Sequence, residues 1–219
     1  MEKLKTLVCF GDSNTNGVLP VHSLSSRLKR ASFGDRWPGV TSEILGSGWN
    51  VVEEGLPGRT TVFPDPVEGD YKSGISYLQA MMETHWPVDW VVIMLGTNDL
   101  KARFALQPMD IALGAATLVK AVKRVEYGRD GVAPRVCLVC PTPIKEAGCL
   151  APIFLGGEAK SHQLWDSFQQ ASESLECELI NIGDYVQVSP IDGVHFEAKS
   201  QRTIGEVLAS KLEECDRAS

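Results

Sequence analysis

Apolar residues in this chain follow two rhythms. Some form short unbroken runs; others recur every three or four positions over longer stretches. The first run, Leu7-Val8-Cys9-Phe10, stops at Gly11 and predicts a buried strand. Further strands are predicted over 49–53, 88–95, 136–140 and 179–182. The 88–95 run is the strongest, and its near-continuous apolar character suits a central parallel strand covered on both faces. The helical rhythm predicts helices over 35–45, 73–84, 108–125, 160–176 and 197–214. In the second of these, Ile75, Leu78, Met81 and Met82 share one side, where methionine serves as core filler.

Strand and helix alternate with helix-length connections. That order implies a parallel sheet with right-handed crossovers and helices on both faces. The expected fold is a flavodoxin-like three-layer α/β/α sandwich with a five-stranded parallel sheet. No repeat, low-complexity tract or dividing linker interrupts it, so residues 1–219 are expected to form one domain.

Composition narrows the function classes. Lys+Arg 21 against Asp+Glu 28 gives a net charge of −7, which argues against nucleic acid or an anionic membrane as main partner. No stretch approaches the ~20 apolar residues of a membrane span. The amino terminus carries Glu2, Lys3 and Lys5, and its apolar run is too short for a signal-peptide core. A cytoplasmic protein is expected. Cys137 and Cys140 have CxxC spacing, but on a strand residues three apart face opposite ways. No second CxxC or nearby His completes a zinc set, so structural thiols, no metal and no cofactor are expected.

In such a fold the loops after the strands share one edge of the sheet. Ser13 follows the first predicted strand, Gly58 the second, Asn98 the third, and Asp192 and His195 the fifth. A serine hydroxyl is a poor nucleophile until a base takes its proton. Histidine titrates near working pH and can be that base. A turn at Gly193 could return the Asp192 carboxylate to the imidazole and orient it. The backbone N–H groups of Ser13 and Gly58 and the Asn98 amide are candidate donors to an oxyanion. Each has a plainer reading. Ser13 could be a cap on a surface turn, Gly58 a turn glycine, and Asn98 a helix cap, although Asp99 is better placed for that. His22, His85 and His162 lack a comparable carboxylate and read as structural. The 18–34 segment, with Arg27, Lys29 and Arg30, reads as a surface loop. The 146–157 segment carries Leu150, Ile153, Phe154 and Leu155, and is expected to line a site, meet another subunit or pack on its own core.

Four motifs taken in order resemble the SGNH, or GDSL-type, hydrolase family. They are Gly11-Asp12-Ser13, the stretch from Gly55 through Gly58 to Thr61, Gly96-Thr97-Asn98-Asp99, and Asp192-Gly193-Val194-His195. Asn14 stands where the GDSL wording has leucine. The resemblance implies Ser13 as nucleophile, Asp192 and His195 as its partners, and Ser13, Gly58 and Asn98 as the oxyanion hole. Glu53-Glu54-Gly55-Leu56, Arg59-Thr60-Thr61 and Ile93-Met94-Leu95-Gly96-Thr97-Asn98-Asp99 resemble the bacterial arylesterase and acyltransferase branch. That branch implies short-chain, acetyl-type esters as small-molecule substrates, acyl transfer to alcohols or peroxide, and a homo-oligomer. The rival readings are a carbohydrate O-acetylesterase, a long-chain thioesterase or lysophospholipase, and a non-catalytic binding protein on the same fold. Absence of a GxSxG elbow argues against the α/β-hydrolase fold.

Overall fold

The computed structural model describes residues 4–217; Glu2 and Lys3, which entered the reading of the amino terminus, lie outside them. Five strands, β1 (Lys5–Gly11), β2 (Trp49–Gly55), β3 (Trp90–Met94), β4 (Arg135–Cys140) and β5 (Glu178–Asn181), make one sheet in the order β2-β1-β3-β4-β5. Every pairing is parallel. The helices between them are α1 (Ser13–Asn16), α2 (Trp37–Leu45), α3 (Gly74–His85), α4 (Pro108–Val122), α5 (Gly157–Ser161), α6 (Leu164–Ser172) and α7 (Ala198–Arg217).

Alternation along the strands divides the core in two. Val8, Phe10, Val91, Ile93 and Leu138 pack with Leu78 of α3, Leu118 of α4 and Phe168 of α6. Leu7, Cys9, Val92 and Val139 pack with Trp37 of α2 and Ile204, Leu208 and Leu212 of α7. The three-layer expectation is met. Cys140 belongs to the first layer and Cys137 to the second, so the CxxC pair is split as the strand period requires. Burial pushes both thiols up, and none of the six cysteines is in a disulfide.

The helix expected over 160–176 is broken. It tightens where the Gln163 N–H bonds to the Lys160 carbonyl, and Ser161 turns its hydroxyl to accept from the Ile144 N–H. Two short helices, α5 and α6, result. The expected fifth strand likewise ends one residue early, because Ile182 enters a 3₁₀ turn in which Asn181 Oδ1 accepts from the Gly183 N–H.

The chain leaves β1 on one side for β2 and returns past it to β3, so strand order reverses at β1. A crevice opens at the carboxyl ends of strands at such a point. There Gly11 is paired with Gly55 on one side and Met94 on the other. Both glycines are required by close approach. A Cβ on Gly11 would lie 2.0 Å from Thr15 Oγ1, and one on Gly55 would lie 2.3 Å from the Asn16 backbone nitrogen. Their absence lets α1 sit directly on the sheet edge.

Candidate active site

Ser13 begins α1. The Asp12 carboxylate accepts from the Asn14 N–H at 2.8 Å, which caps the turn, and Gly17 ends it at φ 80°. The hydroxyl is not on the surface as a plain turn would place it: Ser13 is 6% exposed and lines a cavity of about 270 Å³. His195 Nε2 lies 3.1 Å from Ser13 Oγ, 182 positions away in sequence. His195 Nδ1 lies 2.7 Å from Asp192 Oδ2. Gly193, at φ 74°, provides the turn between the two residues, and a Cβ there would strike the Lys145 carbonyl.

Asp192 has no exposed surface and a full set of donors. Its Oδ1 accepts from the N–H groups of Val194 and His195, and its Oδ2 accepts from the Val21 N–H besides facing the imidazole. Burial alone would raise its pKa. The His195 hydrogen bond and charge, with the backbone donors, outweigh that and bring it down to about 2. Asp192 is therefore ionised at working pH and holds the imidazole in one orientation.

Gly58 and Asn98 line the same cavity as Ser13 and His195. Gly58 sits at φ 83° in the turn closed by the Arg59 N–H on the Leu56 carbonyl. Asn98 caps no helix. It opens a 3₁₀ turn, and its Nδ2 donates to Asp12 Oδ2 at 3.1 Å. Asp99 is no cap either, against the sequence reading. Its buried carboxylate accepts from the Thr61 N–H at 3.0 Å and the Thr61 hydroxyl at 2.6 Å, tying the third motif to the second. Helix α4 starts later, at Pro108, where the Gln107 N–H donates to Asp110.

Several residues around the cavity were given no role from the sequence. Burial pushes the Asp12 carboxyl up to about 6, against the Asn14 N–H and the charges of His195, Arg59 and Lys101. Arg59 is buried over the Phe10 ring, and its Nη1 donates to the carbonyls of Gly11 and Glu54; burial lowers it to about 10. Lys72, Lys101 and Glu68 form a charged wall of the cavity. Asn14, the departure from GDSL, does not line the cavity. It is buried, donates to the Val194 carbonyl and so ties the serine turn to the histidine loop.

The two loops resolve differently. The 18–34 segment closes on itself through a Val18–Arg30 bridge and contributes Val18, Val21, Leu24 and Leu28 to the cavity. Arg27, Lys29 and Arg30 are exposed and do not line the cavity; Arg30 pairs with Glu53. From 146–157, Leu150, Ile153 and Phe154 line the cavity, and Phe154 also belongs to the core. His22, His85 and His162 lie outside the cavity, with His85 against Glu54 at 2.8 Å. Among the described residues no group of three His, Cys, Asp or Glu could hold a metal ion, and no helix is long and apolar enough to cross a membrane.

The sequence model of the GDSL-like Lipase/Acylhydrolase family matches residues 9–202. The chain belongs to this family. It is similar to the native aryl esterase of M. smegmatis at 36% identity, over 96% of this chain and 99% of that one, with a TM-score of 0.90. Est24, a carbohydrate acetylesterase from Sinorhizobium meliloti, matches at 34% identity over 96% and 99%, also at 0.90. A putative arylesterase from Agrobacterium tumefaciens str. C58 matches at 30% identity over 96% and 99%, at 0.82. No curated protein matches the chain. This acylhydrolase acts on carboxylic esters through a serine.

Proposed function

We propose that Ser13, His195 and Asp192 are the catalytic residues of a short-chain, acetyl-type esterase. The observation that carries this reading is the unbroken chain from Ser13 Oγ through His195 to Asp192 at the floor of the cavity. Ser13 Oγ attacks the ester carbonyl carbon while its proton passes to His195 Nε2. The oxyanion is held by the N–H groups of Ser13 and Gly58 and by Asn98 Nδ2. Collapse expels the alcohol, which takes the proton from His195. Water, an alcohol or peroxide then attacks the acyl-serine, gives its proton to His195, and releases the acyl group with return of the proton to Ser13. Asp192 stays ionised throughout and orients the ring.

The cavity supports small substrates: about 270 Å³ is below the ~300–1,000 Å³ usual for drug-sized ligands. A carbohydrate O-acetylesterase is the second reading, supported by the likeness to Est24. Six cysteines with no disulfide among them suit a reducing compartment such as the cytoplasm. The exposed Leu24 and Leu28 beside the cavity support a homo-oligomer, which a native mass at a multiple of 23.9 kDa would show.

A serine-directed phosphonate should label Ser13 once, and Ser13→Ala should lower kcat by about 10⁶-fold, the scale of nucleophile removal in another serine hydrolase. Labelling at another residue, or unchanged turnover in the variant, overturns the assignment. Acetyl, butyryl and octanoyl esters, with an acetylated sugar and a competing alcohol, separate the readings of substrate and acceptor.

A further inference from the structure

We propose that Lys72 is a positioning residue that holds the Pro57–Gly58 peptide in the orientation that makes the Gly58 N–H an oxyanion donor. The inference rests on the reading of Gly58 as a donor and goes beyond it by naming what keeps that donor in place.

Lys72 Nζ donates to the Pro57 carbonyl at 2.6 Å. That carbonyl and the Gly58 N–H belong to one planar trans peptide, so they point in opposite directions. Holding the carbonyl toward Lys72 turns the N–H away from it. The surrounding turn makes this choice matter. Leu56 to Arg59 is closed by a backbone bond at 3.0 Å, with proline in the second position and glycine at φ 83° in the third. This is the type II arrangement. The type I arrangement of the same four residues keeps the closing bond but rotates the central peptide by about half a turn. Glycine accepts both signs of φ, so residue 58 itself offers little resistance to the flip. Proline followed by glycine already favours the type II form, and a bond to the Pro57 carbonyl from outside the turn adds to that selection.

Lys72 is built to supply it. The residue is only 9% exposed, and its side chain lines the cavity. Its backbone is fixed on both sides: the Lys72 N–H donates to the Gly69 carbonyl, and the Lys72 carbonyl accepts from the Thr60 N–H. Its stem lies against residue 58, for a Cβ there would stand 3.3 Å from Lys72 Cε. Its charge is spent differently from that of its neighbour Lys101, which pairs with Asp65 and Glu68. The Lys72 ammonium instead meets the Pro57 carbonyl and, at 4.9 Å, the Tyr71 ring. A buried ammonium on a single backbone carbonyl is an expensive arrangement in general. Control of that carbonyl gives it a purpose.

Lys72→Met keeps the stem and removes the donor; Lys72→Arg keeps a donor. With a short-chain chromogenic acetate, Lys72→Met should lose about tenfold to a hundredfold in kcat, less than the 10²–10³-fold of deleting a donor outright, with KM within about twofold. Lys72→Arg should recover most of that loss. Affinity for an alkyl boronic acid, which forms a tetrahedral anion on a serine, should fall in step with kcat. A raised KM with unchanged kcat and boronate affinity would mean that Lys72 binds substrate directly and would overturn the proposal. A lowered Tm with unchanged kcat would reduce Lys72 to a structural residue and also overturn it. The two levels of the reading separate cleanly. If Asn98→Ala and Ser13→Ala are crippled while Lys72→Met is not, the site stands and Lys72 does not position it. If the boronate fails to bind the unmodified enzyme, the site reading falls and the role of Lys72 falls with it.

Discussion

Asp12 and Asp192 are both buried at the same edge of the sheet, one in the turn after β1 and the other in the loop after β5. Burial pushes the first up to about 6, and the second is held down at about 2. Desolvation acts on both. It acts more strongly on Asp12, which is the more deeply enclosed, and the donors differ as well. Asp192 faces the imidazole directly and accepts three backbone N–H groups, whereas Asp12 accepts one N–H and one neutral amide, with the positive groups farther off. The comparison teaches that one sheet edge can hold a carboxylate that stays charged to about pH 2, beside the proposed base, and another that gives up its charge near pH 6, beside an amide. The side-chain type is the same; deeper enclosure of Asp12 and the richer partners of Asp192 together decide.

On the proposed assignment, the largest effect should come from the strongly ionised partner. Asp192→Asn should lower kcat by about 10⁴-fold, because the amide no longer selects the required tautomer. Its folded pKa lies below the ordinary carboxylate value, so its stabilising contribution is present above about pH 4 and lost as pH falls toward 2. Acid denaturation followed by circular dichroism should show this loss, about 2 kcal/mol, in the parent and not in the variant. Equal activity in the two proteins would erase the distinction between the carboxylates.

Asn98→Ala should cost about 10²–10³-fold in kcat and kcat/KM together, with KM nearly unchanged. In a Ser13→Ala background the oxyanion never forms, and the second change should add almost nothing. Near-normal kcat in the single variant would remove Asn98 from the site and leave Asp12 orienting nothing.

The smallest effect should come from Asp12→Asn, about tenfold in kcat, since one charge-assisted hydrogen bond to Asn98 is weakened. Its stability signature should have the opposite sign to that of Asp192. Asp12 and Asp99 both have folded values raised to about 6, so their contribution is fullest below about pH 4 and declines as pH rises through 6. Asp12→Asn should remove about half of that decline in a pH series of thermal melts. An unchanged slope would show that Asp12 does not carry the raised pKa.

Much of the site was legible because its residue types follow strands. Ser13 and Asn98 lie a few residues past an apolar run and His195 lies in the loop after the last strand, and parallel topology brings such positions together. The roles of Asp99 and Lys72 were not legible. Asp99 looked like a cap because it precedes a helical pattern, yet its carboxylate is taken by Thr61, 38 positions earlier. Lys72 acts on a carbonyl 15 positions before it and matches no motif. The break between α5 and α6 was missed for the same reason: Ser161 answers to Ile144, outside the local pattern.

By itself the sequence determined the order of strands and helices, the two faces on which their side chains pack, and the four loops that carry polar chemistry. These follow from backbone periods and from the chemistry of single side chains, which neighbours in the chain express fully. Tertiary structure decided how far down in pH each carboxylate keeps its charge, what aligns Asn98, and which way the Pro57–Gly58 peptide faces. Each of these depends on desolvation and on donors brought from distant positions. Such interactions are weak in water and become selective only once folding has removed it.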